Sequence, residues 1–159
     1  MSKLQWITDK DQVRRWTREA QANGKRIGLV PTMGNLHEGH ASLFRQAAKE
    51  CDGVVATIFV NPIQFGPNED FDAYPRTPED DRAICERSGV DVVFAPSVAL
   101  MYPPGATTRV QVVETEKPLC GHDRPGHFVG VATVVTKLFH IIPADAAYFG
   151  AKDFQQVRV

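Results

Sequence analysis

The sequence has 159 residues, 43% of them hydrophobic and 23% charged, which suits one soluble domain with a sizeable core. Lys and Arg total 18 against 19 Asp and Glu, a formal charge of −1 that gives no ground for nucleic-acid or membrane-surface binding. No apolar stretch approaches the roughly 20 residues that span a bilayer, the N-terminus lacks the apolar core of a secretory leader, and three scattered cysteines without a C-x-x-C pair read as reduced thiols in a cytoplasmic protein.

In chain order, "TDKDQVRRWTREAQANG" predicts a helix with Thr8 or Asp9 as N-cap and Gly24 near its end. "RIGLV" is a short continuous apolar run, the mark of a buried strand. "HASLFRQAAKEC" carries helical periodicity through Leu43, Phe44, Ala47 and Ala48, and "GVVATIFV" is a second buried strand. "TPEDDRAICERSG" predicts a helix capped by Thr77, with Pro78 in its first turn and Gly89 at its end. "VDVVFAP" is a third strand and "AAYFG" a fourth. Between them "FVGVATVVTKLFHII" reads as a buried helix, with a strand as the alternative because so many of its residues are β-branched. Strands alternating with helices predict an α/β fold, a Rossmann-like doubly wound parallel sheet with helices on both faces.

Such sheets bind ligands beyond the carboxyl ends of their strands, where "PTMGNLHEGH" falls. A helix N-terminus there offers free N–H groups and partial positive charge to a phosphate. Gly34 and Gly39 let backbone approach a ligand closely, and His37 and His40 lie one turn apart as added donors. Histidines at a helix start are also ordinary polar surface, so spacing alone leaves both readings open. The stretch is neither the dinucleotide fingerprint nor a P-loop. A zinc site built from His37, His40, His122 and His127 has no paired cysteines or H-E-x-x-H helix to support it.

"PTMGNLHEGH" resembles the nucleotide-binding motif of the pantothenate synthetase (pantoate–β-alanine ligase) family, a variant of the H-x-G-H element of nucleotidylyltransferases. "FVNPIQFGPNEDFDAYPRTPEDD", "RPGHFVGVATVVTKLF" and "YFGAKDFQQ" resemble further segments of the same family, in the same order. The resemblance implies an ATP- and Mg2+-dependent ligase that joins pantoate to β-alanine through a pantoyl-adenylate, releasing AMP and pyrophosphate. It also implies a homodimer. A nucleotidylyltransferase that forms no amide and a non-catalytic binding module are the alternatives.

The resemblance further implies residue roles. Met33, Gly34, Asn35, Leu36, His37, Glu38, Gly39 and His40 would hold the ATP phosphates, with His40 as proton donor or charge stabiliser for pyrophosphate and His37 beside it. Gly150, Ala151, Lys152 and Asp153 would also meet ATP. Gln64 and Gln156 would contact pantoate, Gln64 lying near β-alanine as well, with Asn61 and Arg124 at the same site. Asn61 is equally a turn former before Pro62. Asp80 and Asp81 would be Mg2+-associated acids, although acids in a first helical turn are also explained by the helix dipole. Asn35 stands where the family motif commonly has alanine. The resemblance leads us to expect residues 1–159 to be one Rossmann-like ATP/pantoate-binding domain, truncated before a C-terminal lid, and weakly active or inactive by itself.

Overall fold

Strand periodicity sorts the apolar residues of this chain onto two faces of one sheet. In the computed structural model, which describes residues 3–67 and 69–159, five parallel strands run in the order β1-β4-β3-β2-β5. They are β1 (Gln5–Ile7), β2 (Ile27–Thr32), β3 (Gly53–Ile58), β4 (Val92–Phe94) and β5 (Ala146–Ala147). The helices are α1 (Lys10–Ala22), α2 (Glu38–Glu50), α3 (Pro78–Arg87), α4 (Val98–Met101), α5 (Cys120–Asp123), α6 (His127–Ile141) and α7 (Phe154–Arg158). A 3-10 turn covers Pro62–Gln64.

Ile27, Leu29, Val55, Val92 and Phe94 point to one face, where they pack with Val13 of α1 and Val134, Leu138 and Ile141 of α6. Val30, Val54, Ala56 and Val93 point to the other, against Ala41, Phe44 and Ala47 of α2 and Ile84 and Cys85 of α3. Both faces are covered, as an all-parallel sheet requires, and the expected α/β architecture stands.

Two expectations change. The strand β1 had no sequence signal, because three residues of mixed burial carry no usable period; its pairing with β4 supplies what propensity does not. The strand β2 runs on through Pro31 and Thr32 rather than ending at Val30. Proline is tolerated there because the β5 pairing reaches only Leu29, which accepts from the Tyr148 amide at 2.9 Å, so no partner faces the missing N–H. The ambiguous apolar segment is a helix: α6 buries seven of its 15 residues.

Strand order reverses beside β2, since the chain leaves it toward β3 on one side and returns as β5 on the other. The carboxyl ends of β2 and β5 therefore open onto the crevice of a topological switch point.

Candidate active site

The loop between β2 and α2 is built by side chains that receive its amides. The Thr32 hydroxyl donates to the Thr57 carbonyl at 2.6 Å and accepts from the Gly34 amide at 3.2 Å. Gly34 and Asn35 then turn the chain with φ of 82° and 51°. A Cβ on Gly34 would be strained by that φ and would also lie 2.9 Å from the Asp81 carboxylate. That carboxylate, 2% exposed, accepts from the Leu36 amide at 2.7 Å and the Asn35 amide at 3.2 Å, and from the Thr77 hydroxyl at 3.2 Å. Asp81 thus holds the β2–α2 loop from the side of α3. Thr77 occupies the cap position expected of it, but its hydroxyl donates to Asp81 rather than accepting from the helix.

His37 is the N-cap of α2, its Nδ1 accepting from the Gly39 amide at 3.0 Å. His40 Nδ1 accepts from the His37 amide at 3.3 Å, completing a reciprocal cap from two imidazoles where Ser and Glu are usual. Each acceptor role leaves the neutral ring's proton on Nε2. The rings lie 4.2 Å apart, centroid to centroid. Burial, and then the neighbouring His37, lower the His40 pKa below 6.5, with Asp81 opposing, so the resting imidazole is neutral.

Gln64 reaches this loop directly, its Nε2 donating to Met33 Sδ at 3.2 Å. The Asn61 amide nitrogen donates to Gln64 Oε1 at 3.0 Å and to the Gly130 carbonyl at 3.1 Å, while Tyr102 donates to Asn61 Oδ1 at 2.7 Å. Asn61 is 1% exposed, and both ends of its amide are committed within the protein. It ties the 3-10 turn to α6. Arg124 donates twice to Glu69, Nε to Oε1 at 2.6 Å and Nη2 to Oε2 at 2.9 Å, and its Nη1 lies 3.1 Å from His127 Nε2. His127 Nδ1 lies 2.9 Å from the Gln64 carbonyl. Met33 also lines a cavity of about 380 Å³ with Gly34, Phe59, Phe71, Arg76 and Val98.

Gly150, Ala151, Lys152 and Asp153 are exposed beyond the end of β5, on the switch-point crevice. Burial lowers the His127 pKa, and Asp153 is among the groups that oppose that shift. Gln156 is half-buried on α7, whereas the adjacent Gln155 is buried and donates to the Thr115 and Pro118 carbonyls. Asp80 and Glu38 are exposed. Among the described residues, no three His, Cys, Asp or Glu side chains cluster as a metal site would need. Sequence reasoning did not single out Thr32, Glu69 or Gly130; only Thr32, inside the quoted motif, carried a usable positional signal.

The family model for pantoate-beta-alanine ligase matches residues 5–159. The chain belongs to that family. Pantothenate synthetase of Acidobacterium capsulatum is 67% identical over 131 residues, covering 82% of this chain and 44% of the relative. That of a Sulfurihydrogenibium species is 55% identical over 156 residues, covering 98% and 56%. The crystal structure of pantothenate synthetase from Thermus thermophilus superposes with a TM-score of 0.89 at 46% identity, covering 96% of this chain and 54% of that one. The pantoate-beta-alanine ligase of Francisella tularensis, complexed with beta-gamma ATP and beta-alanine, superposes at 0.91 with 41% identity, covering 98% and 60%. The chain spans about half the length of the curated pantothenate synthetases it matches. No helix among the described residues is long and apolar enough to cross a membrane.

Proposed function

We propose that this chain forms the ATP- and pantoate-binding part of a pantoate–β-alanine ligase. The observation that carries the reading is the contact of Gln64 with Met33, which joins an amide suited to a hydroxy acid to the amide-rich loop that ends in His37 and His40. ATP phosphates lie along residues 33–40 at the N-terminus of α2, and Gly150 to Asp153 hold the nucleoside side across the crevice. Pantoate lies against Gln64 and Gln156, with its apolar body toward the Met33 cavity. Its carboxylate oxygen attacks the α-phosphorus, the bond to the bridging oxygen breaks, and pyrophosphate leaves. The amine of β-alanine then displaces AMP from the mixed anhydride. His40 already carries its proton on Nε2 while Nδ1 accepts from the His37 amide, so Nε2 donates to the departing pyrophosphate without loss of the cap.

Mg2+ supplies charge neutralisation on the phosphates when bound. Among the described residues no cage of His, Cys, Asp or Glu stands ready for it; Asp81 is spent on the loop, and Asp80 is an acid left exposed beside it in sequence. A cytoplasmic location accords with three unpaired thiols. A homodimer belongs to the same reading, and the exposed Phe139, Phe149 and Phe154 side chains would be available to an interface.

Calorimetric titration with pantoate and with ATP–Mg2+ tests the assignment. His40→Ala is expected to weaken ATP–Mg2+ and Gln64→Ala to weaken pantoate, each about tenfold or more. Binding that neither variant alters would place the ligands elsewhere.

A further inference from the structure

The side chain of Gln64 stands on a 3-10 turn of only three residues, which by itself has little rigidity. Two features press that turn into one position. First, α6 approaches it at Gly130, where a Cβ would lie 2.5 Å from the Ile63 carbonyl oxygen and 2.6 Å from Gln64 Cα. Second, His127 one turn earlier holds the Gln64 carbonyl at 2.9 Å.

The partners of His127 determine its proton. Arg124 has donors and no acceptor, so its contact at 3.1 Å requires an unprotonated Nε2. The remaining nitrogen, Nδ1, then carries the hydrogen and donates to the Gln64 carbonyl. Arg124 is itself fixed by the two-pronged contact with Glu69, whose Oε2 also accepts from the Gly66 amide at 3.0 Å. A chain of contacts therefore runs from the loop after the 3-10 turn, through three side chains, back to the turn.

We propose that His127, locked as the Nδ1-protonated tautomer by Arg124 and Glu69, is a positioning residue that fixes Gln64 against Met33. It acts through the main chain and touches no reacting atom. The significance for ligands rests on the reading of Gln64 given above. The contrast with His37 and His40 is informative, because their Nδ1 atoms accept from amides and place their protons on Nε2. One site thus holds imidazoles of both tautomers, each set by its partner.

The test needs no ligand in its first arm. Long-range nitrogen–proton NMR of the wild-type chain is expected to show His127 protonated at Nδ1; protonation at Nε2 would overturn the proposal. His127→Ala is expected to shift the Gln64 side-chain amide signals, and His127→Asn, which retains a donor near the Nδ1 position, to restore them. Unmoved Gln64 signals in His127→Ala would also overturn it. The second arm titrates pantoate. His127→Ala is expected to raise the Kd about tenfold without changing that for ATP–Mg2+, with His127→Asn recovering most of the loss. If Gln64→Ala weakens pantoate while His127→Ala does not, the positioning role is wrong and the Gln64 assignment survives. If Gln64→Ala has no effect on pantoate, the ligand assignment is wrong, and the NMR arm alone decides the role of His127.

Discussion

Replacing Asp81 by Asn removes one charge without changing the side chain's shape. In the wild-type chain its two oxygens receive the Leu36 amide at 2.7 Å and the Asn35 amide at 3.2 Å. Asparagine has one acceptor oxygen, so one of the two amides must face an NH2 group. The loss of a charge-assisted bond costs about 1.5–3 kcal/mol, and a buried amide left unpaired about 1–3 kcal/mol. These overlap, and a combined loss of about 2–4 kcal/mol is expected. For a domain of this size each kcal/mol moves Tm by about 2–4 °C, so a loss of about 3 kcal/mol lowers Tm by about 6–12 °C. Urea and thermal unfolding of the ligand-free chain measure this, with exposed Asp80→Asn as the control expected to stay within about 0.5 kcal/mol. Were Asp81 instead an acid held open for a cation, neutralising it beside Glu79 and Asp80 would cost the ligand-free protein almost nothing. A loss below about 0.5 kcal/mol would therefore refute the loop-holding role.

Stability should also fall in acid in two steps. Burial holds the His40 and His127 pKa values below 6.5, so the unfolded chain binds protons there that the folded chain does not, and stability declines as pH drops through that value. The bonds from Arg124 and the Gly66 amide hold Glu69 at about 2 against an ordinary 4.5, giving a further decline between those two values. That limb is shallow, because about a third of the Glu69 side chain remains in water; Glu69→Gln should flatten it in urea midpoints followed from about pH 8 to about pH 3. Burial also pushes the Cys85 thiol up to about 12. Thiol titration of the native chain should label exposed Cys120 readily and Cys85 only on unfolding. Equal labelling rates would contradict the buried placement of α3.

The alternating elements, and with them the two-faced core, were legible in the order of residues alone. Runs such as "GVVATIFV" are apolar at nearly consecutive positions, and only a sheet covered on both sides buries Val54, Val55 and Ala56 in succession. The same patterning placed His37 and His40 at a helix start, because a strand, a Gly–Asn turn and a periodic helix follow one another within a few residues. It left open how polar groups far apart in the chain divide the work. Asp80 and Asp81 are indistinguishable in "TPEDD", yet one faces solvent and the other supports a loop 45 residues earlier. Asn61 and Gln64 look like equivalent amides in "NPIQ", but α6 arrives 69 residues later and takes the first as its anchor. His127 was visible as a histidine, whereas its tautomer is set by Arg124 and by a carbonyl 63 residues away. Local patterning fixes which backbone shapes form, because propensity and burial act over a few residues. The partner of a buried hydrogen-bonding group is fixed only when distant elements pack, and in this chain the positioning of the site rests on those partners.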